Sequence, residues 1–182
     1  MAMFKKYYPY EYADDVYSIN YEKLYILGYR AIIFDIDNTL VHHGDNSNKK
    51  VDEFFKLLHK IGFKTLLLSN NTKQRVQRFN QNIQTFSIWD ANKPKTNCFC
   101  KALEMLHLPK EKVIYIGDQL FIDIYGANKA CIPSILVKYI GYGIEKKIGI
   151  KRHLENFILF FYHHSRYTHL FGLDILNKRE DI

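Results

Sequence analysis

The chain has 182 residues, 47% of them apolar, which is enough for one substantial core without help from disulfides. Its three cysteines, Cys98, Cys100 and Cys131, are odd in number and include no C-x-x-C pair, arguing against a disulfide framework or a zinc knuckle and for reduced thiols in the cytoplasm. The net charge of +7 is dispersed without a basic block, there is no dedicated nucleic-acid motif, and no stretch reaches the roughly 20 apolar residues that span a bilayer.

Met1 to Tyr10 carries lysines and tyrosines without the apolar core of a secretion signal. Asp14 to Leu27 is expected to form a helix closed by Gly28, with Asp14 or Asp15 as its cap. From residue 31, short apolar runs alternate with amphipathic stretches, the pattern of a parallel sheet flanked by helices. Strands are expected at Ala31 to Phe34, Thr65 to Leu68, Phe86 to Trp89, Val113 to Ile116 and Ser134 to Val137. Helices are expected at Val51 to Lys60, Lys73 to Gln81, Thr96 to His107 and Phe121 to Ala130. Leu154 to Tyr162 is apolar and aromatic; it reads as a terminal helix over the sheet in preference to a surface that touches lipid. The fold class is therefore α/β, a Rossmann-like three-layer sandwich around a mostly parallel sheet. A single domain is expected over 1–182, with its core at about 28–140, a helical lead-in over 1–27 and a tail over 141–182.

Four groups of polar residues stand at strand ends or before helices. Asp35-Ile36-Asp37-Asn38-Thr39 follows the first strand, and carboxylates two apart on an extended chain face one site, tolerable when a proton or cation is shared. A hard divalent ion such as Mg2+ suits oxygen ligands. Gly117-Asp118-(x)4-Asp123 follows the strand from Val113, so Asp118 opens onto the same crevice as Asp35 at the carboxyl edge of the sheet. Asp123 enters the next helix, where a carboxylate also favours the dipole. Ser69-Asn70-Asn71-Thr72 puts a hydroxyl and helix-opening N–H groups after the second strand, a phosphate cradle or an ordinary cap. Lys93 precedes Pro94 and brings a mobile positive charge. Each group alone has a bland explanation; in this order they supply a nucleophile, an acid, cation ligands, a hydroxyl and an ammonium.

The set resembles the four motifs of the haloacid dehalogenase superfamily: Asp35-x-Asp37-x-Thr39, Ser69, Lys93 and Gly117-Asp118-(x)4-Asp123. Ser69-Asn70-Asn71, Ala91-x-Lys93-Pro94 and the run from Gly117 through Gln119-Leu120-Phe121 to Asp123 further resemble its YqeG-like branch, which is similar to phosphatidylglycerophosphate phosphatases. The resemblance runs from about Met3 to about Leu159. Asn38 replaces a frequent glycine, and Ile122 stands where threonine is commoner. What the resemblance implies is a phosphatase in which Asp35 is the nucleophile and Asp37 the general acid and base. It implies Mg2+ held by Asp35, Asp37 (through its backbone carbonyl), Asp118 and Asp123. Thr39, Ser69, Asn70 and Lys93 would bind the phosphoryl group.

Spacing speaks to the substrate. Only 29 residues separate Thr39 from Ser69 and 20 separate Thr72 from Lys93, enough for a helix and a strand each but not for a large cap domain. An open site admits a phosphate displayed on something large, such as a lipid headgroup at the inner face of a membrane, a protein or a nucleic acid. His42 and His43 lie close enough to the first motif to brush it. The alternative is a module that binds RNA, the ribosome or a protein on the same fold, suggested by the positive charge and the aromatic content.

Overall fold

The computed structural model describes residues 2–141, 150–172 and 174–177. Six strands form one sheet: β1 (Glu11–Ala13), β2 (Ala31–Phe34), β3 (Lys64–Leu68), β4 (Phe86–Ile88), β5 (Val113–Gly117) and β6 (Ser134–Val137). All pairings between these strands are parallel, in the order β1-β6-β5-β2-β3-β4. Among the described residues, six α-helices accompany them: α1 (Tyr21–Ile26), α2 (Lys49–Ile61), α3 (Lys73–Phe79), α4 (Asn97–Leu106), α5 (Tyr125–Lys129) and α6 (Ile150–His163).

The continuous apolar runs of the inner strands make sense because both faces of the sheet are covered. Ile32 and Phe34 point to one face, with Ile114, Ile116, Ile135 and Val137, and meet α1, α2 and α3. Ala31 and Ile33 point to the other, with Leu66, Leu68, Val113 and Tyr115, and meet α4 and α5. Helix α2 shows how one element is specified. Asn48 caps it by accepting the N–H of Val51 at 3.1 Å, and Gly62 ends it in the left-handed region at φ 113°. Its inward stripe of Val51, Phe54, Phe55 and Leu58 is buried, each side chain contributing on the order of 2 kcal/mol.

The strand order places the topological switch between β2 and β5, whose ends are in register at Phe34 and Ile116. The loops that begin at Asp35 and Asp118 therefore leave the sheet side by side, where open α/β sheets hold ligands.

Three expectations need correction. Residues 14–27 do not form one helix: Asp15 caps a short 3-10 turn at Val16–Ser18, the chain extends at Ile19, and Asn20 starts α1 by capping Lys23. The stretch ahead of it is not a purely helical lead-in, because β1 adds a sixth strand at the sheet edge beside β6. Phe121 to Ala130 is also two pieces, a π-helical turn at Leu120–Ile124 followed by α5. The tail over 141–182 is described in part; α6 covers the β6 side of the sheet through Ile158 and Tyr162, as a terminal helix should, and Phe171 and Ile175 join the main core.

Candidate active site

Asp35 is the residue after β2, and its N–H still pairs with the carbonyl of Ile116 on β5 at 2.9 Å, so its position is set by the sheet itself. Its carboxylate is buried. Asp118 and Asp123 join it, with one carboxylate oxygen of each of the three within 4.8 Å of the others. The Thr39 hydroxyl lies against two of them, 3.4 Å from Asp35 and 3.5 Å from Asp118. Asn38 makes the tight turn between these residues at φ 64°, a conformation asparagine tolerates in place of glycine.

Asp123 reaches this group because the π-helical turn folds back over the end of β5. A Cβ on Gly117 would stand 2.7 Å from both Cβ and Cγ of Asp123, so the close approach requires glycine there. One Asp123 oxygen accepts the N–H of Gln119 at 3.1 Å and the other accepts from Lys93 and Tyr115.

Lys93 is held against two of the three carboxylates. Its Nζ donates to Asp35 Oδ1 at 2.6 Å, Asp123 Oδ1 at 2.7 Å and the Tyr115 hydroxyl at 2.9 Å, which accounts for its three N–H bonds. Its backbone is gripped by Asn70, whose side-chain amide accepts from Lys93 N and donates to Lys93 O. The close packing of Gly126 against Pro94 and the Phe99 ring supports the same loop from behind. Asn70, expected at the phosphate, thus has its side chain engaged in placing the lysine.

Asp37 departs from the expectation that both acids of the first motif join one carboxylate group. Its side chain lies outside the group formed by Asp35, Asp118 and Asp123 and is met by its own donors: Asn71 Nδ2 at 2.5 Å, Gly44 N at 2.7 Å and Arg75 Nη2 at 3.0 Å. Arg75 Nη2 also bonds the Asp45 carbonyl at 2.6 Å, tying the loop after the first motif to α3. Ser69 is buried beside this arm and accepts from Asn71 N and Nδ2. At the mouth, the His43 side chain is 71% exposed and 3.7 Å from Asp37, whereas His42 bonds the carbonyl of Ile140.

Burial raises the Asp35 carboxyl to about 6; Lys93 opposes the rise, and Asp123 and Asp37 add to it. Burial by itself would lower the Lys93 ammonium, but Asp123 and Asp35 beside it more than reverse this and hold it above the usual range. Tyr115 is pushed well up by burial and by the same two carboxylates, so its hydroxyl stays protonated. Three buried carboxylates facing one ammonium leave an excess of two negative charges, which fits a small divalent cation with oxygen ligands.

Arg75 and Tyr115 were not singled out in the sequence. Arg75 sits in an ordinary amphipathic helix and Tyr115 in an apolar strand; neither spacing nor composition marks them, although a tyrosine two residues before Gly117 must point to the same face of the sheet as that glycine.

Comparison with known proteins identifies the family and the fold. A family model described as a haloacid dehalogenase-like hydrolase matches residues 44–130. Over 137 residues, 74% of this chain and 80% of the relative, the sequence is 35% identical to the probable phosphatase YqeG of Bacillus subtilis (strain 168). Among solved structures, an uncharacterized protein from Listeria monocytogenes serotype 4b superposes with a TM-score of 0.53 at 18% identity, covering 75% of this chain and 99% of that one. A putative 3-deoxy-D-manno-octulosonate 8-phosphate phosphatase from Vibrio cholerae gives 0.51 at 14% identity, covering 81% and 93%. These two likenesses establish the shared fold, and the YqeG relationship establishes the family: the chain belongs to the haloacid dehalogenase-like hydrolases.

Proposed function

We propose that the chain is a magnesium-dependent phosphomonoester hydrolase working through an aspartyl-phosphate on Asp35. The observation that carries this reading is the division of labour among the acids: Asp35 is grouped with Asp118, Asp123 and Lys93, while Asp37 is held apart on its own donors.

In the first step a carboxylate oxygen of Asp35 bonds to phosphorus as the bond from phosphorus to the leaving oxygen breaks. Asp37 gives that oxygen a proton. In the second step Asp37 takes a proton from water, the water oxygen bonds to phosphorus, and the bond to Asp35 breaks to release inorganic phosphate. Lys93 stands beside the nucleophile, so its charge opposes the negative charge gathering on the phosphoryl oxygens. Ser69, the Asn70 backbone and Thr39 complete the surroundings of that group. Asp35, Asp118 and Asp123, with the Asp37 backbone carbonyl, would hold Mg2+, which supplies charge neutralisation for a dianionic phosphate.

The residues between Thr39 and Lys93 form the loop to α2, α2, β3, α3 and β4, with no inserted lid, which favours a phosphate presented on a large substrate. Phosphatidylglycerophosphate is the substrate we would test first, with nucleotides and phosphoproteins as the competing classes. Purified protein should release phosphate from an aryl phosphate and from at least one of these only when Mg2+ is present, and Asp35→Asn should fold normally and lose turnover. Metal-independent release, or full activity in Asp35→Asn, would remove the nucleophile assigned here.

A further inference from the structure

We infer that the face shared by α6 and the amino-terminal segment docks on an anionic lipid bilayer. Helix α6 is amphipathic in an unusual sense: its inward stripe of Glu155, Ile158 and Tyr162 is buried, yet Leu154, Phe157 and Phe160 on the outer side are 46%, 51% and 59% exposed. A helix at the surface of a soluble monomer carries polar side chains there. The amino-terminal segment extends this apolar surface, since Phe4 stacks on Phe161 and meets the edge of Phe157, with ring centroids about 6 Å apart.

Cations frame it. Lys5 and Arg166 lie over the Tyr167 ring, and Lys6 lies over Tyr7 and Tyr125, so three positive charges from two parts of the chain sit over tyrosines, two of which share an apolar cluster with Phe4 and Phe161. A hydrogen bond from Arg166, with the charge of Lys5 beside it, also holds the Tyr167 phenol below its usual range. Among the described residues of 4–10, 120–134 and 153–172, the only carboxylates are Asp123 and Glu155, and both are buried. Exposed phenylalanines flanked by lysine and arginine, with no exposed acid between them, match an anionic membrane surface. A nucleic acid would use the cations and leave the apolar stripe uncovered. Glu155 accepts the N–H of Leu120 at 3.1 Å, so the amino-terminal half of α6 lies beside the loop that carries Asp118 and Asp123.

The test needs no turnover and is therefore independent of the proposed phosphatase activity. The full chain is sedimented with vesicles of phosphatidylcholine alone and of phosphatidylcholine with phosphatidylserine. It should partition to the anionic vesicles, and Phe157→Ser/Phe160→Ser and Lys5→Glu/Lys6→Glu should each weaken this by roughly tenfold or more. Ile26→Ser, on the exposed side of α1, should leave it unchanged. Circular dichroism and urea unfolding confirm that the variants are folded. Absence of binding, equal binding to both vesicles, or a dimer in solution dispersed by the phenylalanine pair would overturn the inference, the last by making a second copy the occupant. RNA binding that depends on the lysine pair and ignores the phenylalanines would overturn it in favour of nucleic acid.

Discussion

Asp37 accepts three hydrogen bonds from residues that lie 34, 7 and 38 positions away, namely Asn71, Gly44 and Arg75. The side chain is thereby pointed, and pointing is what proton delivery to a leaving oxygen demands. Arg75→Met keeps the bulk of the side chain and removes the donor. The expected result is a fall of about 10- to 100-fold in kcat on alkyl phosphates, a smaller fall on aryl phosphates whose leaving groups need less protonation, and partial rescue by Arg75→Lys. In an Asp37→Asn background the same substitution should cost nothing further. Steady-state kinetics on the two substrate classes checks both points, and equal losses in both backgrounds would reduce Arg75 to a packing residue. Tyr115→Phe removes a hydroxyl that links Lys93 to Asp123, and urea unfolding should show a loss of about 1 to 2 kcal/mol. The motif acids, Ser69 and Lys93 were legible because they stand immediately after apolar strands or before a helix. Arg75 and Tyr115 were not, because their partners come from other elements and a side chain in a helix or strand advertises only its own periodicity.

Helices and strands show the same division. The inner strands are visible as β-branched and leucine-rich runs, and α2 as a stripe with a cap at Asn48 and a stop at Gly62. Strand β1 is three residues, Glu-Tyr-Ala, and its glutamate is buried; it is a strand because β6 pairs with it and because His169 from the far end of the chain meets the Glu11 carboxylate at 3.0 Å. Such a strand has no local signature. Gly126 carries a prediction at this scale: a Cβ there would stand 2.7 Å from the Phe99 ring and 3.2 Å from Pro94 Cα. Gly126→Ala should push α5 off the loop bearing Lys93, lowering stability by about 1 to 3 kcal/mol in urea unfolding and lowering kcat with it.

For the molecule as a whole, the charge balance of the buried site links metal, pH and stability. Without a cation the Asp35 carboxyl is raised to about 6, above the roughly 3.9 of an unfolded aspartate. Between those values the folded chain keeps a proton that the unfolded chain has released. The stability this contributes is complete below the unfolded value and is lost as pH rises through about 6. A bound divalent cation favours the ionised form and restores what burial removes. Thermal unfolding followed by circular dichroism should therefore show that Mg2+ raises the Tm at pH 7.5, that the gain shrinks below pH 5, and that Asp118→Asn abolishes it. A Tm indifferent to Mg2+ at neutral pH would mean that the three carboxylates do not hold it.

By itself the sequence determined the α/β class, the inner strands and where along the chain the candidate site residues stand, because hydrophobic periodicity and residue type are local properties written in order along the chain. Only the tertiary structure decided that Asp37 stands on a separate arm, that Lys93 rests on Tyr115, and that Lys5 and Arg166, far apart in the chain, meet over the Tyr167 ring. Each of these depends on which side chains become neighbours once strands from distant parts of the chain are paired, and pairing is a property of the whole sheet.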